Sequence, residues 1–342
     1  ALVVFDCIAY WFHRLSHEIN FLWAAHIVHH QSEELNLTTV FRASFFAVIF
    51  RAFFFVWMAL AGFDAFTIAT CSVTLGVFQL FTHSRVIGKL GFVEWFLTTP
   101  SHHRVHHARN DKYMDHNYSH IFIIWDRMFG TFIVEDEEPD YGITTGFESA
   151  NAYNAAFAYW RNLFTRAGRT KKLSDKIKVF TKGPAWTPYD VPHLPNEYKV
   201  DEKGDRIPHK IPVSFELGAY VLINVLITFS AFVALIFVYK PIIPETLSEL
   251  FVTMSELSSS PQILSLVGVI LISIFAHARM VEQTKASVYI DGFRLIALST
   301  FVFVGFNTMP YSTWLIPGCL GLSGLMFLWL IKLGIQRKPK IS

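Results

Sequence analysis

Along this chain, long apolar runs alternate with polar segments of ordinary composition. A helix that crosses a bilayer needs about 20 mainly apolar residues. Six runs meet that requirement: 40–61, 64–82, 213–239, 262–280, 288–308 and 312–333. The opening stretch ALVVFDCIAYWF (1–12) reads as the tail of an earlier span, with residues expected before it. Only AGFD separates the first two runs, which predicts a tight helical hairpin. Such a hairpin returns the residues before 40 and after 82 to the same face of the bilayer. The pattern predicts an all-α, polytopic integral membrane protein.

Polar segments then give the sidedness. Lys and Arg favour cytoplasmic loops close to the membrane. Arg85, Lys89, Arg104, Arg109 and Lys112, followed by the basic run from Arg161 to Lys178, all lie between the hairpin and the third run. The loop KPIIPETLSELFVTMSELSSSPQ carries one lysine and three glutamates, whereas HARMVEQTK and the terminal KLGIQRKPKIS are basic. Counting spans from the hairpin puts every basic segment on one side, so the polar cap is expected to be cytoplasmic, at the endoplasmic reticulum or a bacterial inner membrane. Three segments follow: a core at 1–135, truncated at its start; a polar stretch at 136–212; and a bundle of four spans at 213–342. The middle segment is rich in Pro and Gly. Within it, ESANAYNAAFAYWRNLF predicts an amphipathic helix at about 148–165, lying on the membrane surface.

Composition supports this reading and adds little to it. The 342 residues are 52% hydrophobic and 16% charged, against about 25% charged in ordinary globular domains. The net charge of +2 adds nothing by itself; no nucleic-acid partner is expected. Cys7, Cys71 and Cys319 lie far apart in or near apolar runs, so they read as small buried hydrophobes rather than disulfides or thiolate ligands.

The histidines carry the chemistry. Twelve of the 15 precede residue 121. HRLSH places His13 and His17 at i and i+4; HIVHH (His26, His29, His30) and HRVHH (His103, His106, His107) both have the spacing i, i+3, i+4. On a helix each group shares one face and can converge on a point outside it. Chance would produce HxxHH on the order of 0.03 times with this many histidines, yet it occurs twice. The hairpin delivers His83, with Gln79 one turn earlier in QLFTH, to the same face. Imidazole-only ligation suits iron, zinc or copper. One zinc takes three or four ligands, and nine histidines fit two metal ions with open positions. Two redox-active irons beside lipid-embedded helices suggest O2 activation on an apolar substrate.

HxxxH, HxxHH and HxxHH in this order resemble the fatty acid hydroxylase superfamily of membrane di-iron enzymes, which includes sterol desaturases. The resemblance is carried by WFHRLSHEINFLWAAHIVHHQSEELNLTTVFR (11–42), LGFVEWFLTTPSHHRVHHARN (90–110), NYSHIFIIWDRMFGTF (117–132) and FTKGPAWTP (180–188). It implies that His13, His17, His26, His29, His30, His83, His103, His106 and His107 are metal ligands. Gln79 falls where some relatives have a further histidine, so it is a weak ligand or a supporting group. His102, Glu18, Glu33, Glu34, Asp115, Asp126 and Asn117 are candidate supporting residues; Asn36 and Arg42 are candidates for orienting ligands or a lipid headgroup. His116 and His120 interrupt a stretch where relatives have other residues and are left outside the site. The branch that the sequence most resembles cleaves the ether bond of alkylglycerols. That branch implies two Fe ions, O2, tetrahydrobiopterin as reductant and a membrane lipid as substrate. The alternatives are a sterol or fatty-acyl hydroxylase or desaturase drawing on another electron donor, a histidine-rich metal transporter, and a scaffold that keeps a metal site without turnover. Transport should place ionisable residues inside the spans; Glu216, His277 and Arg294 are the ones near or within them.

Overall fold

The apolar runs form helices whose ends are set by local chemistry. Ser44 begins α3 (Phe45–Leu60), its hydroxyl accepting the Phe46 amide at 3.2 Å. Asp64 begins α4 (Ala65–Thr82), accepting the Thr67 amide at 2.9 Å. Between them Gly62 adopts φ +91°, a backbone state that glycine enters without a Cβ penalty. The AGFD turn is therefore as tight as the sequence implies.

The structure, a computed structural model, describes residues 1–149, 151–191, 199–200, 206–207, 213–239, 261–284, 286–306 and 312–336. The acidic loop at 240–260 and the tail at 337–342, used in the sidedness argument, lie outside the described residues. Twelve α-helices are present among them. Besides the hairpin these are α1 (Leu2–Glu18), α2 (Asn20–His30), α5 (Pro100–His107), α6 (Ile124–Phe129), α7 (Ala152–Arg169), α8 (Leu173–Thr181), α9 (Phe215–Tyr239), α10 (Pro261–Val281), α11 (Ser287–Phe306) and α12 (Ser312–Gln336). A two-residue hairpin pairs Lys199–Val200 with Arg206–Ile207; the protein is otherwise helical among the described residues.

Two units divide the chain. The first takes residues 1–148 and 154–209, the second 149–153 and 210–342. In the first unit, α1 packs on the hairpin through Phe5, Ala9, Phe55, Met58, Cys71 and Leu75. The outward side of the hairpin is apolar and uncovered: Phe53, Trp57 and Phe66 are 68%, 66% and 82% exposed. An apolar surface of that kind is stable in hydrocarbon, not in water. Ala65–Thr82 and Ile316–Gly334 are long and apolar enough to cross a membrane.

The opening helix does not stop where its apolar run does. It continues to Glu18, so the stem that packs on the hairpin also carries His13 and His17. An extended residue, Ile19 (φ −122°, ψ 117°), then reverses the chain into α2. Asn20 holds this corner: its amide donates to the Lys182 carbonyl at 2.9 Å, and its side chain accepts from Tyr159 Oη at 2.6 Å. Gly183 comes so near that a Cβ there would sit 3.4 Å from the Glu18 carbonyl. The amphipathic helix predicted at 148–165 forms as α7, with Trp160 and Leu163 packed against Ala24 and Ala25 of α2 and Val179 of α8.

The second unit is a bundle of α9–α12 around Leu217, Tyr220, Met280, Leu295, Met326 and Leu330. Its core also holds polar groups. Arg294 Nε donates to Asp291 at 2.5 Å, Arg294 Nη2 donates to Asn224 at 2.6 Å, and Tyr220 donates to Asp291. All four residues are fully buried.

Candidate metal centre

Four pieces of the first unit converge. The end of α1 brings His13 and His17, and α2 brings His26, His29 and His30. The C-terminal cap of α4 brings His83, and α5 brings His103, His106 and His107. Helix α5 is short and starts at Thr99-Pro100, with proline at the first helical position, where its missing N–H costs nothing. Arg104 anchors it. The guanidinium is paired with Glu135 through Nε–Oε1 and Nη2–Oε2, both 2.7 Å, and donates to the carbonyls of Ser84 and Ile87 at 3.0 and 2.7 Å. That locks α5 to the turn just after His83.

All nine predicted ligands come together, and they sort into two groups. His13, His17, His26, His30 and His106 form one; His29, His83, His103 and His107 form the other. Within each group the ring nitrogens that face inward lie within 4.8 Å of one another. The two groups adjoin, with the rings of His30 and His107 stacked at 4.5 Å.

The inward atoms are the Nε2 nitrogens. In the first group His30 stands 3.1 Å from His26 and 3.2 Å from His106. In the second, His83 lies 3.2 Å from His29 and 2.9 Å from His103, and His103 lies 3.1 Å from His107. Ligand nitrogens about 2.1 Å from one ion are about 3.0 Å apart at right angles and about 3.4 Å apart at the tetrahedral angle. The nearest neighbours within each group thus stand at separations that nitrogens sharing one ion can adopt. The Nε2 atoms of His13 and His17 are buried without a hydrogen-bond partner. Such atoms carry a desolvation cost unless something accepts their lone pairs. A metal ion in the first group would do so.

The outer nitrogens explain the orientation. The Nδ1 of His13 bonds the Tyr118 carbonyl at 2.7 Å, that of His29 the Thr39 carbonyl at 3.1 Å, that of His83 the Gln79 carbonyl at 2.8 Å, and that of His106 the His116 carbonyl at 3.0 Å. A carbonyl can only accept, so each Nδ1 carries the proton and each Nε2 presents its lone pair to the centre. Burial holds His13, His26, His29, His30, His103, His106 and His107 well below the ordinary imidazole value, and neighbouring imidazoles push mostly the same way. His83 is pushed down to about 4 by burial. Neutral rings are what ligation needs.

The supporting candidates act mostly through backbone. Asp126 accepts the amides of Tyr118 and Ser119, both at 2.8 Å, and so holds the carbonyl that orients His13. Asn36 caps a short turn at Leu37–Phe41 by accepting the Thr38 amide, and that turn presents the Thr39 carbonyl to His29. Asn117, at φ +56°, donates to the carbonyls of His102 and Ile133 and pins the loop to α5. Gln79 contributes its carbonyl to His83, while its side chain donates to the His120 carbonyl at 3.3 Å. His102 points away from both groups and accepts the Thr99 amide at 3.3 Å, closing the start of α5. Arg42 donates to the Val28 carbonyl at 3.4 Å. Glu18 pairs with Arg14 at 2.8 Å and Glu34 with Arg85 at 3.0 Å, both on exposed ground. Asp115 stands 3.6 Å from His17 Nδ1.

His120, left outside the site on sequence, does lie outside both histidine groups, although its ring is 4.8 Å from that of His13 and its Nδ1 is buried without a partner. No helical spacing links it to the other motifs, so only the folded loop reveals it. Arg104 and Tyr118 were passed over, the first because it reads as one of many loop cations, the second because its contribution is a carbonyl.

Over the histidines lies a cavity of about 1060 Å³. Its floor includes His17, His30 and His106 from one group and His107 from the other.

Two adjoining histidine-only groups, each of which could hold a metal ion, stand on helices that pack beside an apolar hairpin. Residues 1–131 match the fatty acid hydroxylase family. The chain is 32% identical over 297 residues to an alkylglycerol monooxygenase of Danio rerio, covering 84% of this chain and 61% of that protein. It is 41% identical over 179 residues to an alkylglycerol monooxygenase of Xenopus tropicalis, covering 52% of this chain and 40% of the relative. An ornithine lipid hydroxylase of Rhizobium tropici is 29% identical over 180 residues, covering 52% of this chain and 53% of the relative. The chain thus spans roughly two-fifths to three-fifths of the length of these relatives. No solved structure matches it. With the uncovered apolar helices, the family match places the protein in a membrane.

Proposed function

We propose that this protein is a membrane di-iron monooxygenase that inserts oxygen from O2 into a lipid, and that it cleaves the ether bond of alkylglycerols with tetrahydrobiopterin as reductant. The observation that carries the proposal is the division of nine buried imidazoles into groups of five and four with inward Nε2 atoms 2.9–3.2 Å apart. The family match and the names of the relatives support the same reading.

When bound, two irons would supply the redox chemistry that activates O2. The residues of the chain do the rest. His13, His17, His26, His30 and His106 would hold one ion, and His29, His83, His103 and His107 the other. No carboxylate belongs to either group, so the ligands leave the metal charge uncompensated, and the site favours a strongly oxidising state. The carbonyls of Tyr118, Thr39, Gln79 and His116 hold the outer ring protons and so keep the lone pairs inward. Oxidation of the carbon next to the ether oxygen consumes one O2, two electrons and two protons, and releases one water. The hemiacetal so formed collapses to an aldehyde and a glycerol lipid.

The basic segments 84–112 and 161–178 support a cytoplasmic cap, at the endoplasmic reticulum or a bacterial inner membrane. In this arrangement residues 1–135 form the catalytic core, 136–212 cover it, and 213–342 complete the membrane part. The test is turnover of purified, iron-loaded protein with O2 and tetrahydrobiopterin, offered an alkylglycerol, a ceramide, a sterol and an ornithine lipid in separate arms. Fatty aldehyde from the alkylglycerol arm is expected. Hydroxylated product only in another arm moves the substrate to that lipid, and two bound irons without any turnover defeat the oxygenase reading.

A further inference from the structure

Outside the metal centre, a dense cationic surface lies on α7, α8 and the corner between them. From 152 to 182 the chain carries eight cations and one acid, Asp175. Arg166 is buried, and Lys178 pairs with Asp175 at 3.0 Å. The other six are Arg161, Arg169, Lys171, Lys172, Lys176 and Lys182. Five of them are exposed and Lys176 is half-buried, and none pairs with a carboxylate among the described residues. Asp190 comes up to the corner, where it accepts the Lys171 amide at 2.9 Å and the Thr170 hydroxyl at 2.8 Å.

Amid these cations, large apolar side chains stand in the open. Phe164 is 63% exposed, Leu173 73% and Ile177 57%. Leu173, Ile177 and Phe180 follow one another at i, i+4 and i+7, so they form a single stripe of α8. The ring of Phe180 meets that of Phe164 on α7 at 5.4 Å, which joins the two helices into one apolar patch. Arg161, three residues before Phe164, borders the patch on α7, and Lys172 leads directly into Leu173. The inner sides of both helices are core, with Trp160, Leu163 and Val179 packed on Ala24 and Ala25. The patch also leads to the hairpin. The ring of Phe46, in the first turn of α3, lies 5.6 Å from that of Phe157 and 5.1 Å from that of Trp160. Helix α7 thus abuts the end of an apolar span, at the level where hydrocarbon gives way to headgroups.

The two features call for one partner. A neutral leaflet would take the apolar patch and leave the cations repelling one another. A soluble acidic protein would answer the charges but would not share the level of the hairpin's end. A leaflet with negative headgroups satisfies both, because apolar side chains enter the acyl boundary while cations stay at the phosphates. We propose that the outer face of α7 and α8 binds anionic phospholipids. Phe164, Leu173 and Ile177 enter the leaflet, and Arg161, Lys171 and Lys172 meet the phosphates. The sequence pattern pointed to the membrane surface for α7 alone; the fold extends that surface through α8 and gives it a charge requirement. This goes beyond the oxygenase reading and stands whichever lipid is oxidised.

Hydrogen exchange of the backbone amides at 161–182 tests this, with the full chain in nanodiscs of phosphatidylcholine alone or with one third phosphatidylglycerol. Exchange should be slower in the anionic discs, by about fivefold for each cation that engages a headgroup, and high salt should erase the difference. Lys171→Gln combined with Lys172→Gln should lose on the order of tenfold of that protection, with Tm in phosphatidylcholine discs unchanged. Lys171→Arg combined with Lys172→Arg should keep it. Equal exchange in the two kinds of disc overturns the proposal, as does protection in anionic discs that survives removal of both lysine charges. Protection by soluble polyglutamate in neutral discs, equal to that from the anionic lipid, would assign the surface to an acidic protein and overturn it too.

Discussion

The protein buries two polar clusters and handles them in opposite ways. In the second unit, Asp291 and Arg294 lie one turn apart on α11 and neutralise each other, with Tyr220 and Asn224 completing their hydrogen bonds. Apart from Arg294 Nη1, which has no partner, that cluster is closed. In the first unit nine imidazoles turn nitrogens toward one another, and carbonyls anchor the outer nitrogens of four of them, His13, His29, His83 and His106. Buried lone pairs facing one another carry a desolvation cost that a bound ion would offset. The closed cluster holds a bundle together, whereas the open one has the donor set of the metal site proposed above.

Breaking the open cluster should give the largest effect. His106→Ala and His103→Ala each remove one ligand from a different group, and each should lower turnover by on the order of 100-fold or more. Metal analysis should show one iron lost in each case. If either variant retains both irons and full activity, the grouping is wrong. The closed cluster predicts a different signature. Asp291→Ala strands a fully buried guanidinium and should cost about 3–5 kcal/mol, seen as a lowered Tm in detergent. Asp291→Leu combined with Arg294→Met should recover most of that loss, and neither variant should change iron content.

A smaller effect tests the carbonyl anchors. Asp126→Ala frees the loop that presents the Tyr118 carbonyl to His13, and should weaken iron binding about tenfold. Acid should act in the same direction. Because the folded imidazoles titrate below the unfolded value of 6.5, with His83 and His102 both at about 4, only the unfolded chain takes up protons as the pH drops through 6.5. The contribution of these rings to stability is therefore fully present above pH 6.5 and declines as the pH falls towards 4. Tm and iron retention, measured from pH 7.5 to 5, should fall together; a flat profile would contradict the burial of the cluster. The smallest change is expected from Glu34→Gln. Its exposed pair with Arg85 should leave Tm and iron content at the parent values.

Much of the candidate site was legible because its chemistry repeats at helical spacing. HRLSH, HIVHH and HRVHH each name a helix face, and those faces do meet. The assignment of His30 to one group and its neighbour His29 to the other was not legible. Consecutive residues on α2 diverge by about 100°, so they join different groups, and only the approach of α5 decides which. His102, set apart from the ligands on sequence although it adjoins HRVHH, is turned by its offset from His103 to the start of its own helix. His120 gave no signal at all, since a loop residue has no periodicity to expose it.

What the sequence determined by itself was therefore local: where the chain is apolar enough for lipid, where a helix starts, and which side chains share a face. These follow from the period of the helix and from the chemistry of Ser44, Asp64, Gly62 and Pro100. Tertiary structure decided what depends on distance between segments far apart in the chain. It closed α1, α2, α4 and α5 around two points, chose the carbonyls that set each ring, and left a cavity over them. No spacing along the chain encodes those separations, because they are settled only when the apolar faces of different helices pack against one another.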